Sequence, residues 1–508
     1  MKSLVLPPDE SRSLDAWERA AARGLFAIGI LLRLRQYLSG RSLWADEAML
    51  ALNIINRDFP GMFRTLEYNQ GAPVGFLLVE KFFNVILGRN ELVLRFFPLM
   101  AGFASLWLFH LLLRKTTRGS VWLTALALFA VNPQLVYYSS ESKQYMVDVA
   151  VALGMLVIAI PAFRPRARKQ DHFLLGLAGM AALWLSHPAL FVLAGIGFTL
   201  VILLVQRREA SSLRLVAGMG SLWVANLALL YFINLRDLSR NGYLINYWKD
   251  AYLPMPPWGD PNWLTTSFSD GVGFQFGIDY LPWLVLPLLA LGWIALLRES
   301  PSLAYAVVLI PLLAFGASAL RLYPVSGRLG LFLIPLGIIL LGEAVEVLYK
   351  RLAFNRLWEI AAALTLGAYL ICGPLITSIQ YLIAPKYYEH VRPAMDYLSA
   401  SWKDGDELFV SFWGEPSFRF YAPFYNLEKV RYTSSKYVDY PDQQRLKSRF
   451  GQLIGKKRVW VLMLHVYEEG GFNERDFIVT YLDEIGRKRR EFRRSGTSVY
   501  LFLYDLSK

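Results

Sequence analysis

Two adjacent acids, Asp46 and Glu47, follow a tryptophan in the run Ser42-Leu43-Trp44-Ala45-Asp46-Glu47-Ala48. The run lies just beyond the first hydrophobic segment, where a membrane helix emerges into water and a tryptophan suits the interface. Neighbouring side chains on a helix point about 100° apart, so the two acids suit different tasks. One can face a substrate as a base while the other holds a cation or a donor. Acids in the first turn of a helix are also favourable with no catalytic task at all. Another acid stands in Ser139-Ser140-Glu141-Ser142-Lys143-Gln144-Tyr145. A helix through this run puts Glu141, Tyr145 and Asp148 on one face. Asp148 then lies about one turn inside the membrane, where an ionisable group is a functional candidate or a buried partner for a cation. Arg33, Arg35, Lys143, Arg321 and Arg328 supply positive charge near the same surface. Guanidinium groups bind phosphate oxygens in pairs, so this set suits a phosphate at the membrane surface. Snorkelling to lipid headgroups accounts equally well for one of Arg33 and Arg35. It accounts less well for Arg328, which Pro324 and Gly327 place in a tight turn.

Other chemistries find little support. His110, His172, His187, His390 and His465 are scattered, without the paired spacing of a metal site. Only His187, at the end of a hydrophobic segment, is placed to join a site. Cys372 is the sole cysteine, which excludes a disulfide framework and a cysteine metal site. No Walker loop, dinucleotide fingerprint or nucleophile elbow occurs, so nucleotide-driven chemistry is not indicated.

These residues must be positioned by a membrane protein. Of the 508 residues 55% are hydrophobic and mean hydropathy is +0.35, too apolar for a soluble enzyme of this size. Apolar runs recur, most of them of roughly 17–22 residues, a length that crosses a bilayer. They fall at about 20–38, 94–113, 120–138, 145–160, 173–186, 189–206, 215–234, 280–297, 302–320, 329–349 and 357–380, eleven in all. Beyond them charges become frequent. The expected division is a polytopic α-helical membrane domain over 1–384 and a small α/β soluble domain over 385–508. In the latter, 387–403 and 474–488 read as helices, and 407–412, 458–465 and 498–504 as strands.

The net charge of +13 reflects short basic loops rather than nucleic-acid binding. Arg114/Lys115/Arg118, Arg164/Arg166/Arg168/Lys169, Arg207/Arg208/Arg214, Arg298 and Lys350/Arg351/Arg356 all fall on the amino-terminal side of the membrane, which the positive-inside rule makes cytoplasmic. Arg19 and Arg23 precede an apolar run without a convincing cleavage site, so the first segment reads as a retained anchor. Segment 72–87 is short and carries Glu80-Lys81 at its middle; it reads as an interfacial or tucked-in helix. With eleven spans the acids, an aromatic loop over 235–279 that suits a mobile lid, and the C-terminal domain then share the outer face.

The ordered motifs resemble those of bacterial membrane glycosyltransferases of the GT-C fold. They are most similar to the protein O-mannosyltransferase-like family 39 enzymes, which include the lipid A aminoarabinose transferases and the rhizobial galacturonosyltransferases. The resemblance rests on Arg33-Leu34-Arg35, the Asp46-Glu47 run, Tyr68-Asn69-Gln70-Gly71-Ala72-Pro73, Glu91-Leu92-Val93-Leu94-Arg95-Phe96-Phe97-Pro98, the Glu141 run and Tyr323-Pro324-Val325-Ser326-Gly327-Arg328. It covers roughly 20–350. It implies transfer of a sugar from a polyprenyl-phosphate donor to a lipid, glycan or protein acceptor, on the periplasmic or extracellular face of a bacterial inner membrane, by an inverting single displacement. By position Asp46 is the base toward an acceptor hydroxyl, or only a positioning group if the acceptor is a phosphate. Glu47 and Glu141 orient acceptor or donor, and Lys143 and Arg328 hold the leaving phosphate. Arg33, Arg35, Gln70, Tyr145 and Tyr323 count as substrate-binding positions. Some relatives use a divalent metal; the many cations here lead us to expect none as obligatory. A transporter or flippase of a lipid-linked sugar is the alternative, but it calls for pseudo-symmetric halves, and no internal repeat is visible. A non-catalytic assembly protein has no need of so many acids and cations on one face.

Overall fold

The computed structural model describes residues 15–117, 121–351, 356–436, 442–494 and 496–507. Arg118 of the first basic loop lies outside them. The protein is mostly helical, with a small C-terminal sheet region.

Eight helices among the described residues are long and apolar enough to cross a membrane: Phe96–Thr116, Tyr145–Phe163, Ala189–Arg207, Ala210–Ser239, Pro282–Glu299, Pro301–Ala319, Gly327–Lys350 and Thr365–Ile383. Eleven were expected, and the other three differ for visible reasons. Ala16–Tyr37 has 22 residues but carries Glu18, Arg19, Arg23, Arg33 and Arg35. Lys169–Leu185 has only 17. The expected span 120–138 is broken: Val121–Val131 ends, and Pro133–Tyr138 starts anew with the Asn132 side chain accepting from Gln134 N and Leu135 N. Proline donates no hydrogen bond and clashes with the preceding turn, so it begins helices better than it continues them.

Segment 72–87 forms Val74–Leu87, 14 residues. At about 1.5 Å per residue that is well short of a bilayer core. Its Lys81 ammonium donates to the Ile54 and Ile55 carbonyls at 3.0 and 3.3 Å. Segment 235–279 folds as short helices, Arg236–Ser239, Gly242–Tyr247 and Pro261–Phe276. A π turn over Tyr231–Leu235 leads into it within the continuous helix Ala210–Ser239, a feature common at functional sites.

The C-terminal sheet has strands β1 (Glu407–Val410), β2 (Tyr432–Ser434), β3 (Val459–Met463), β4 (Arg487–Arg493) and β5 (Tyr500–Asp505), in spatial order β2-β1-β3-β5-β4. β1 runs parallel to β2 and β3; β3/β5 and β5/β4 are antiparallel. Strand alternation gives the sheet two partners. Val459, Val461 and Met463 pack with Phe450, Ile478 and Leu482, whereas Trp460 and Leu462 join the large core that continues into the membrane helices. Two expectations needed correction. The helix read over 474–488 stops at Ile485, and Arg487–Arg493 is a strand. β2 was not anticipated, because three residues carry too little pattern. The charges of β4 suit an exposed sheet edge, which they protect from pairing with other chains.

The loop between the first two hydrophobic segments is fastened to this sheet region. Arg392 donates from Nε and NH2 to Glu91 at 2.7 and 2.8 Å, and Tyr421 OH donates to the same carboxylate at 2.8 Å. Leu43 N donates to Tyr421 OH at 2.7 Å.

Candidate active site

Asp46 occupies the first turn of Ala45–Asn56. Its Oδ1 accepts from Lys143 Nζ at 2.9 Å and Gln70 Nε2 at 3.1 Å. Its Oδ2 is ion-paired with Arg328 NH1 at 2.8 Å. Lys143 Nζ also donates to Gln70 Oε1 at 2.5 Å. The Arg328 guanidinium lies 5.3 Å from the ring centroids of both Trp44 and Tyr145. Four chain segments far apart in sequence thus converge on one carboxylate. Backbone geometry helps: Tyr68 and Asn69 adopt left-handed φ of 61° and 53°, which turns Gln70 toward Asp46, and Gly327 takes φ 51° just before Arg328. Glycine enters that region without cost. Burial works against ionisation of Asp46, but Lys143 and Arg328 outweigh it and hold the carboxyl well below the usual range. Lys143 is pulled down by burial and by Arg328, against the support of Asp46.

Glu47 points elsewhere, as adjacent helical positions dictate. It is fully buried and accepts from Arg95 Nε at 2.9 Å and NH2 at 2.6 Å, and from Ser142 N at 2.8 Å. Arg95 NH1 donates to the Arg41 carbonyl at 2.8 Å. This clamp holds the loop of Asp46 against the turn of Lys143. Burial opposes ionisation here too, yet Arg95 and Arg41 keep the Glu47 carboxyl lowered. Glu141 is buried, with no hydrogen-bond partner for either oxygen among the described residues. Burial and the nearby Glu47 push it up to about 7. The helix begins only at Tyr145, so Glu141 lies in the preceding turn and not on the expected helical face with Tyr145 and Asp148. Asp148 is buried within Tyr145–Phe163.

A cavity of about 740 Å³ opens beside Asp46, and Gln70, Lys143, Tyr145, Tyr323 and Arg328 line it. Glu47, Glu141, Arg33 and Arg35 do not. Arg33 is buried, donating to the Gly29 and Ala130 carbonyls at 2.9 and 3.2 Å. Arg35 Nε donates to the Leu382 carbonyl at 3.0 Å, near the end of Arg356–Ile383, where a cation complements the helix dipole. Away from the charged end the walls are apolar, with Leu183, Leu190, Leu227, Leu230 and Leu238. Gly71 sits where a Cβ would meet Leu238 Cδ1 at 2.6 Å, so a side chain there would press on that wall. His187 and Arg321 also line the cavity, and burial lowers the His187 imidazole to about 4. Trp413 and His465 reach it from the C-terminal region; scattered single histidines gave no sequence signal for this.

Among the described residues no three His, Cys, Asp or Glu side chains are grouped to hold a metal ion. The cations on both oxygens of Asp46 also fit poorly with a divalent ion there, since like charges would crowd the same carboxylate.

Helices long and apolar enough to span, an acid-bearing loop after the first hydrophobic segment and a small C-terminal sheet region are combined here as in the GT-C fold, which the likeness to solved structures shows. No protein-family model and no curated protein matches the chain. Solved structures do. The chain is similar to ArnT from Cupriavidus metallidurans bound to undecaprenyl phosphate, at 13% identity and TM-score 0.54 over 96% of this chain and 98% of that one. It is also similar to the oligosaccharyltransferase AglB from Archaeoglobus fulgidus in complex with an inhibitory peptide and a dolichol-phosphate, at 12% identity and TM-score 0.50 over 88% and 70%. A further structure of the A. fulgidus enzyme, in complex with Zn and sulfate, matches at 13% and 0.50 over 86% and 67%. Identities this low establish the fold and leave the chemistry to the site.

Proposed function

We propose that this protein is a membrane glycosyltransferase that moves a sugar from a polyprenyl-phosphate donor to an acceptor at the outer face of the membrane. The observation that carries this reading is Asp46 flanked by Lys143 at 2.9 Å and Arg328 at 2.8 Å at the charged end of a largely apolar cavity. Two cations beside an apolar volume suit a lipid phosphate, and the undecaprenyl phosphate of ArnT and the dolichol-phosphate of AglB support that class of ligand.

In this reading the donor phosphate competes with Asp46 for Lys143 and Arg328. Losing those cations makes Asp46 a stronger base, so donor arrival itself readies the site. The acceptor oxygen then bonds to the anomeric carbon. The bond from that carbon to the phosphate oxygen breaks with its electron pair on the phosphate, and the acceptor proton passes to Asp46. One displacement inverts the anomeric centre. Lys143 and Arg328 stabilise the phosphate as it leaves, where such contacts contribute most. Glu47 acts by placing Ala45–Asn56 against the turn 139–144. The basic loops are assigned to the cytoplasm and the site to the opposite side, by the positive-inside rule.

Purified protein in lipid nanodiscs, supplied with polyprenyl-phosphate sugars and an envelope extract, should release polyprenyl phosphate and label an extract component. Intact donors throughout, across the available sugars, would contradict the reading.

A further inference from the structure

We propose that the C-terminal sheet region completes the same cavity with an acceptor subsite for a saccharide, built from His465, Trp413 and Trp44 and oriented by Glu389. This rests on the glycosyl-transfer reading above and adds the chemical class of the acceptor to it.

His465 follows β3 with φ 49°, a left-handed conformation disfavoured for a residue with a side chain and retained mainly where the surroundings require it. Its Nδ1 lies 2.9 Å from Glu389 Oε1. The Glu389 side chain is 1% exposed, and its other oxygen accepts from Ala45 N at 2.9 Å. Ala45 opens the helix that carries Asp46. One buried carboxylate therefore fixes both the start of that helix and the imidazole. With Glu389 accepting from Nδ1–H, Nε2 of the neutral ring is an acceptor on the far side, left for a ligand. The tether alone would be served as well by a buried histidine, yet 48% of the His465 side chain is exposed, and the residue lines the cavity.

Its neighbours form a sequence of rings. The His465 ring centroid lies 5.5 Å from that of Trp413 and 6.2 Å from that of Trp44. Trp44 in turn carries Arg328 at 5.3 Å. The cavity thus runs from a cationic pole through Trp44 to an aromatic and imidazole pole. Indole faces receive the apolar C–H faces of sugar rings, and an imidazole acceptor meets a hydroxyl. The hydrogen bond to Glu389, with the charges of Glu389, Asp46 and Glu474, raises the imidazole against burial; a ring protonated at Nε2 donates to the oxygen of the same sugar hydroxyl instead of accepting from it.

The test uses full-length protein in nanodiscs and two probes: oligosaccharides released from bacterial envelopes by mild acid, followed by saturation-transfer NMR, and undecaprenyl phosphate, followed by native mass spectrometry. Wild type should bind both. His465→Gln and Trp413→Ala should each weaken oligosaccharide binding at least tenfold and leave undecaprenyl phosphate binding within twofold. Lys143→Ala should do the reverse. Melting temperatures near that of wild type identify folded variants, and either of the first two suffices. Unchanged oligosaccharide binding in the folded variants overturns the subsite. So does a wild type that binds undecaprenyl phosphate and no oligosaccharide, which leaves the lipid-phosphate reading intact. Failure to bind undecaprenyl phosphate at all would instead count against the proposed function.

Discussion

Asp46 and Glu47 are chain neighbours on one helix, and each is ion-paired, but their surroundings differ. Glu47 and Arg95 are sealed from solvent at 0% and 1% exposure, with two further donors of Arg95 taken by the Arg41 and Ser42 carbonyls. Asp46 is 17% exposed and Arg328 16%, and both line the cavity. The sealed pair joins the loop that carries Asp46 to the turn 139–144. The open pair is available for exchange with an incoming anion. Two acids of similar chemistry are thereby divided between structure and reactivity by a rotation of about 100° around a helix.

That division is best broken from the sealed side. Glu47→Ala leaves the Arg95 charge buried and uncompensated, a loss of about 3–5 kcal/mol. We expect a large drop in melting temperature and yield; a stable, well-expressed variant would mean that the clamp is not structural. Asp46→Asn should behave in the opposite way. It keeps shape and removes the base, so turnover should fall by about 10²-fold or more while thermal stability changes little. Near-normal turnover would remove Asp46 as the base. Arg328→Ala deletes a charged hydrogen-bonding group worth roughly 1.5–3 kcal/mol. Donor binding should weaken accordingly, and an unchanged donor affinity would move the phosphate away from this residue.

Glu141 sharpens the contrast as a sealed acid without a hydrogen-bonding cation. Its folded value is raised from 4.5 to about 7, so the folded state keeps a proton that the unfolded chain releases. Stability therefore falls as pH rises from about 4.5 to about 7, and levels off above, when unfolded molecules bind fewer protons than folded ones. Glu141→Gln removes that fall, an effect on the order of 3 kcal/mol. The difference in melting temperature, variant minus wild type, should grow across this window. A difference independent of pH would show that Glu141 carries no such penalty.

Much of this was legible in the chain. The eight helices long and apolar enough to cross follow from apolar runs, whose length alone sets their role. Asp46, Lys143 and Arg328 were singled out because each sits in a distinct polar motif between apolar segments, and Gln70 only through the family resemblance. The break at Asn132-Pro133 was missed although proline signals it, because hydrophobicity continues across it. Arg33 resembles a surface cation in sequence, yet it is buried against backbone carbonyls, and only packing reveals that. The Glu389–His465 pair was hidden for a different reason. Its members are 76 positions apart, and neither belongs to a periodic or motif-like pattern.

The central claim is that the Asp46 cluster is the receptor of a lipid phosphate. An electron cryomicroscopy structure with undecaprenyl phosphate tests it most directly. The account predicts the phosphate in contact with Lys143 Nζ and the Arg328 guanidinium, with one or both cations withdrawn from the Asp46 carboxylate and the prenyl chain along the apolar wall. A phosphate bound elsewhere, with the 2.9 Å Lys143–Asp46 and 2.8 Å Arg328–Asp46 contacts both intact, would contradict it.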